Sequence, residues 1–449
     1  MSDSSPSSSN ASRRTFLKTS TATAAAGALS ASIASRAHAQ STEEIRIALI
    51  GCGGRGTGAA EQALSTSGPI KLVAAADAFE DNLNASIERL ARSKPEQVDV
   101  PEDRRFVGFD AFKKAIDSDV DVVILATPPG FRPVHFEYAV SQGKNVFMEK
   151  PVAADATGVR RVIEAAKKAK EKNLKVGVGL QRHHQRTYQE TMQRIHDGAI
   201  GDVLYTRVYW NGGGVWVRPR REDQNEMQYQ MRNWYYFNWL SGDHITEQHI
   251  HNLDVGNWAM AAQLDDPYPV MANGMGGREF RDGKDHGEIY DHHAVEYIYS
   301  NGARMISQCR HIPNCWNSVS EQAVGTKGEA NLSGAIIEPF GGERWRFRGQ
   351  SPNPYQVEHD VLFQAVRENN EHNEAYNGAM ATMTAILGRY ATYSGKLLRM
   401  RDAIEQGTDL APGIDNYTYD STPPILPKDD GYYPVAVPGD FDPYAGSEA

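Results

Sequence analysis

A short apolar run, Ile45-Arg46-Ile47-Ala48-Leu49-Ile50, leads directly into Gly51-Cys52-Gly53-Gly54-Arg55-Gly56, and helix-forming residues follow from Ala59 to Leu64. Branched residues in such a run suit a strand buried on both faces, as in a parallel sheet. A GxGxxG string alone is weak, but between a strand and a helix it has a physical use. The glycines let backbone approach a pyrophosphate, and the helix N-terminus supplies partial positive charge. The next strand, Lys71 to Ala76, ends in Asp77, 26 residues beyond Gly51. A carboxylate there can accept hydrogen bonds from an adenosine ribose and would repel a 2′-phosphate, which favours NAD. Arg55 keeps NADP open, because a guanidinium near that ribose could accommodate the extra phosphate.

Val120 to Leu125 is a further buried strand, broken by Ala126-Thr127-Pro128-Pro129; Phe136 to Gln142 reads as a helix and Asn145 to Met148 as another strand. Alternating strands and helices predict a doubly wound parallel sheet. The expected cofactor contacts are Gly51, Gly53, Gly54, Arg55, Gly56, Asp77, Thr127 and Pro128, with His135, Glu149 and Lys150 completing the set.

The first 39 residues read as an address rather than as fold. A Ser-rich start precedes Arg13-Arg14-Thr15-Phe16-Leu17-Lys18, then an Ala/Thr/Ser stretch without acidic residues, then Ala37-His38-Ala39, a small-x-small cleavage pattern. The paired arginines point to twin-arginine export and so to the Tat translocase as a partner. The apolar stretch is too weak for a membrane span, so none is expected after cleavage. About 410 residues follow, enough for two domains. A net charge of -10 without a basic block excludes nucleic acid as a partner. Three cysteines make no disulfide scaffold, although Cys309 and Cys315 could pair in an oxidising compartment.

Glu149-Lys150-Pro151 closes the last of these strands, and a His-x-x-Asp motif, His251 to Asp254, lies downstream. With the glycine turn, these motifs in this order resemble the Gfo/Idh/MocA family, the glucose-fructose oxidoreductase and inositol dehydrogenase group, over residues 45 to 400. A lysine at a strand end beside a cofactor crevice can hydrogen-bond a substrate hydroxyl and favour a developing alkoxide. The resemblance implies that Lys150 touches both nicotinamide and substrate, and X-Pro makes a cis bond plausible. A helix from Ala154 to Lys172 and a strand from Lys175 to Leu180 follow. By the same resemblance Gln181 and Arg182 contact substrate, while His183 reads as a solvated loop residue.

Between Gly242 and Asp254 a single helix would place Glu247, His251 and Asp254 at i, i+4 and i+7 on one face. A histidine oriented by a carboxylate suits a general base near neutral pH. The resemblance makes His251 the catalytic histidine, with Glu247 where an aspartate is usual and Asp254 near the substrate. A metal held by Glu247, His251 and His292 or His293 is the alternative; His249 is two residues from His251 and cannot easily join that set.

Residues 202 to 210 and 293 to 309 read as strands that turn at Asn301-Gly302. They predict an α+β second domain on a large, mostly antiparallel open sheet, whose free face the resemblance makes a homodimer or homotetramer surface. Trp210 to Trp216 and Trp234-Tyr235-Tyr236 can form aromatic loops around a sugar, with Trp234 and Tyr236 as contacts, or can simply pack. The expected division is a signal at 1–39, a nucleotide domain at 40–152, a substrate domain at 153–415 with a helix near 375–396 returning to the first, and a tail at 416–449. The implied activity is hydride transfer between a sugar, polyol or cyclitol carbinol and tightly held NAD. Two rivals are a redox-neutral glycosidase or lyase working through a transient keto-sugar, and a non-catalytic binding protein.

Overall fold

The computed structural model describes residues 43–445; the expected signal segment lies outside them. Five crossovers build a six-stranded parallel sheet from β1 (Ile45–Ile50), β2 (Ile70–Asp77), β3 (Arg105–Val107), β4 (Val122–Leu125), β5 (Asn145–Met148) and β6 (Val176–Val178). Their order is β3-β2-β1-β4-β5-β6, with every neighbouring pair parallel. Strand residues such as Ile47, Leu49, Val122 and Ile124 are wholly buried, as a sheet covered on both faces requires. The order reverses at β1, so the crevice at the carboxyl ends of β1 and β4 is where a ligand sits in such sheets.

The nucleotide-binding sheet does not end at residue 152. Helix Ala156–Glu171 lays an Ala/Val face on the sheet and returns the chain as β6 beside β5. Asp155 caps that helix, accepting from Gly158 N at 2.7 Å, a bond of about 1 kcal/mol.

The second sheet has nine strands: β7 (Val203–Gly212), β8 (Met271–Gly277), β9 (His292–Ile298), β10 (Arg304–His311), β11 (Ser318–Gly325), β12 (Gly328–Asn331), β13 (Ile336–Pro339), β14 (Trp345–Arg346) and β15 (Leu398–Arg399). Their order is β14-β13-β12-β11-β7-β10-β9-β8-β15, antiparallel except for β7 beside β10. β9 turns into β10 at Gly302, whose φ of +90° suits glycine. Val295, Tyr297 and Tyr299 share the buried face, as the alternation predicts. Helix Ala375–Ser394 lies between the sheets, and its Arg389 Nη1 donates to Ala154 O at 2.9 Å. Among the described residues no helix is long and apolar enough to cross a membrane. All three cysteines are free: Cys309 is buried in β10 and Cys315 is exposed, so the suggested pair is not formed.

Candidate active site

The four glycines of the turn divide their work. Gly51 has φ +94°, and a Cβ there would lie 2.6 Å from the Ala126 carbonyl carbon; at Gly56 a Cβ would lie 1.9 Å from Gly51 O. Those two let β1, β4 and helix Gly54–Ala63 pack. Gly53 and Gly54 have nothing within 4 Å of where a Cβ would stand. Above them opens a cavity of about 570 Å³, which suits a diphosphate at the helix N-terminus.

Asp77 lines the same cavity. Its carboxylate accepts from Cys52 N at 2.6 Å, Phe79 N at 2.8 Å and Asn82 Nδ2 at 3.4 Å, while burial raises its pKa. Arg55 Nε pairs with Glu149 at 2.6 Å, its Nη2 donates to Gln62 at 2.6 Å, and its guanidinium lies 5.1 Å over the Tyr355 ring. Buried Glu149 needs a cation, and Arg55, which borders the same cavity as Asp77, supplies it. Thr127 Oγ1 lies 3.2 Å from His135 Nδ1, and burial followed by Arg132 lowers the His135 pKa to about 3.

Lys150 sits two residues beyond β5, and Thr127 two beyond the neighbouring β4. Arg132 ties the two strand ends together, donating to both Thr127 O and Pro151 O. The Lys150-Pro151 bond is cis. Lys150 Nζ donates to Glu247 O at 2.6 Å and to Glu247 Oε1 at 3.0 Å, and each side chain keeps 12 % of its surface exposed.

The expected single helix is two: His244–Glu247 and Ile250–Met260. Because Glu247 ends the first, its carbonyl is left for Lys150. His251, in the first turn of the second, packs its ring 6.1 Å from that of Trp210. Burial, then the charge of Lys150, then that of Arg182 hold its pKa well below the ordinary value, so it is neutral and able to accept a proton. Neither carboxylate orients it. Glu247 is bound to Lys150, while Asp254 holds His183 at 2.8 Å and Asn377 at 3.3 Å. His183 is therefore not a solvated loop residue; it stacks on Trp258 at 4.3 Å, and although burial opposes its charge, Asp254 raises its pKa.

Arg182 is buried against Glu321, which also accepts from Tyr188 Oη at 2.9 Å. Arg182 and Asp254 are thus committed to internal pairs. Gln181 donates to Tyr355 Oη at 3.2 Å. Trp234 lines the cavity beside Trp216, their rings 5.9 Å apart. Tyr236 is core, with its hydroxyl donating to Val215 O at 3.3 Å. Tyr235 carries a buried hydroxyl without a partner, and its pKa is raised by burial and then by Glu247. Sequence reasoning did not single out that ring, and only the Trp-Tyr-Tyr cluster pointed to it.

The suggested metal set of Glu247, His251 and His292 is not assembled, since His292 is part-exposed and pairs with Asp291 at 2.7 Å. Among the described residues the compact ligand-type group is Asp243, His244 and His293, all buried. Asp243 has φ +69° and ψ 164°, a conformation costing about 1–3 kcal/mol outside glycine. Its carboxylate accepts from His244 Nδ1 at 2.8 Å, Tyr290 N at 3.0 Å and Tyr393 Oη at 2.6 Å, and Arg281 stands 3.4 Å from His244 Nδ1. With the carboxylate filled and a guanidinium present, this is a polar knot that pins the start of the Glu247 helix.

Residues 45–179 match the model of the oxidoreductase family with an NAD-binding Rossmann fold, Gfo/Idh/MocA, and residues 10–30 match the twin-arginine translocation signal, which addresses the chain for export. An inositol 2-dehydrogenase of Klebsiella pneumoniae (strain 342) is 32 % identical over 32 % of this chain and 36 % of its own. A glycosyl hydrolase family 109 protein of Shewanella baltica (strain OS195) is 24 % identical over half of each. The chain spans half or less of the length of these curated relatives. The scyllo-inositol dehydrogenase of Lactobacillus casei, solved with NAD(H) and scyllo-inositol, shares the fold at TM-score 0.60 and 19 % identity, over 80 % of this chain and all of that one. Residues 45–179 are therefore an NAD-binding Rossmann domain of the Gfo/Idh/MocA oxidoreductase family, on a chain that carries a twin-arginine signal.

Proposed function

We propose that this chain transfers hydride between a carbinol carbon of a sugar, polyol or cyclitol and a retained NAD, after export to the periplasm. The observation that carries the reading is the Lys150–Glu247 pair, 3.0 Å apart at the end of β5, with His251 close enough for the Lys150 charge to lower its pKa. The bound dinucleotide supplies the hydride acceptor. Lys150 donates a hydrogen bond to the carbinol oxygen, and its charge favours the alkoxide that forms there. His251 takes the hydroxyl proton. Glu247 holds the ammonium in place until substrate competes for it. Asp77 accepts from the adenosine ribose, and Thr127, Pro128 and His135 border the path toward Lys150.

The test is mass spectrometry of nucleotide released from the purified protein, followed by addition of sugars and inositols while the near-ultraviolet absorbance of reduced nicotinamide is followed. Bound NAD and rising absorbance support the reading; a chain that neither carries nor takes up dinucleotide sinks it. The glycosyl hydrolase likeness favours a second reading, redox-neutral glycoside cleavage through a transient keto-sugar. Its mark is bond cleavage without net reduced nicotinamide.

Because burial and Lys150 depress the His251 pKa, its basic form persists at mildly acidic pH. A profile of kcat/KM against pH should keep its acid limb well below pH 6.5, and a limb at or above that value would remove His251 as the base. Asp77→Asn should reduce the preference for NAD over NADP about tenfold in titrations, since a carboxylate–phosphate repulsion disappears. The open face of the second sheet exposes Tyr205, Met275 and Ile306, so we propose self-association there; sedimentation should show a dimer or tetramer, and a monomer would contradict it.

A further inference from the structure

The far wall of the dinucleotide crevice comes from outside the Rossmann domain. Trp216, Arg218, Met231, Arg232 and Trp234, between β7 and helix Asn238–Ser241, all line the cavity. Arg232 reaches back to pair with Asp81 at 2.6 and 2.8 Å, and its guanidinium lies 3.7 Å over the Phe79 ring. Buried Asn233 fixes the loop, accepting from Arg218 N at 2.9 Å and donating to Asp285 O at 2.7 Å.

The carboxyl-terminal tail crosses the same place. Arg161 holds Asp415 through bonds of 2.8 and 2.9 Å. The Tyr419 ring then meets Phe109 edge-on at 5.0 Å and lies 6.2 Å from Phe79, two residues that face the cavity. Its carbonyl accepts from Asn225 Nδ2 at 2.9 Å, and Ile425 O accepts from Gln230 Nε2 at 2.7 Å. The tail therefore ties the 216–234 loop to the nucleotide domain.

We propose that residues 216–234, strapped down by the tail at Tyr419, clamp the adenosine diphosphate half of the dinucleotide and set its rate of release. The chemistry suits such a ligand: indoles offer faces to an aromatic base, and Arg218, beside Trp216, offers charge to a diphosphate while Asp81 holds Arg232 in the wall. The glycine turn forms one jaw and the loop the other. This inference rests on the reading that NAD binds the crevice, and it adds that the cofactor leaves only when the strap lifts.

The experiment loads the full-length chain with NAD and follows exchange against isotopically labelled NAD by mass spectrometry. Tyr419→Ala removes the ring, and Asp415→Ala, at an exposed position, removes the anchor to Arg161. Both should release NAD at least about tenfold faster, and loading should slow amide exchange in 216–234 and around Tyr419. Unchanged release in both folded variants, checked by melting, overturns the clamp while leaving NAD in its crevice. A native chain that takes up no NAD overturns the clamp and the dinucleotide reading together.

Discussion

Lys150→Met should lower kcat by about 10²–10³ while NAD stays bound, because one preorganised donor to a developing oxyanion is worth that much. Methionine keeps the unbranched apolar stem out to the ε position but removes the ammonium group and its charge. The Glu247 carbonyl and Oε1 lose their partner at 2.6 and 3.0 Å, so some loss of melting temperature should accompany the change. Lys150→Arg should recover little, since a planar guanidinium is wider and fits differently against a carbinol oxygen. Steady-state kinetics with bound NAD measured in parallel separates chemistry from binding. A fall in activity tracking cofactor loss would place Lys150 in binding alone.

Gly53→Val and Gly56→Val should fail in opposite ways. At Gly56 a Cβ would stand 1.9 Å from Gly51 O, so the first strand and helix cannot keep their packing. That variant should be insoluble or melt many degrees lower, because overpacking here meets backbone that cannot yield. Gly53 has φ -71° and ψ -177°, extended backbone that valine adopts comfortably, and it faces open space. Gly53→Val should melt normally yet carry no dinucleotide, since its side chain occupies the diphosphate's approach. Melting curves with mass spectrometry of bound nucleotide test both. A Gly53→Val protein that still retains NAD would move the diphosphate elsewhere.

The nucleotide domain was legible because its signals are local. A buried strand, a glycine turn and a helix stand next to one another in sequence, and Asp77 follows at the end of the next strand. The short strand Arg105–Val107 offered no such signal, its residues being half-buried or exposed. The sheet's sixth strand was recognised as a strand but assigned to the wrong domain, because partner choice depends on a crossover rather than on composition. Around Glu247, His251 and Asp254, proposed for the chemistry, the sequence did not reveal the geometry. Helical periodicity could not reveal a break at Gln248-His249, and the pairing of Asp254 with His183 spans 71 residues. The partner of Arg55 was hidden for a similar reason: Glu149 follows β5, far from the glycine turn in sequence.

The most direct test of the central claim uses carbon-deuterated inositols and sugars with the NAD-loaded protein, followed by mass spectrometry of the nicotinamide ring. Deuterium should appear on the nicotinamide with an accepted substrate, and should vanish in Lys150→Met although NAD remains bound. Turnover of a deuterated substrate that never places label on the nicotinamide, even transiently, would contradict hydride transfer at this site.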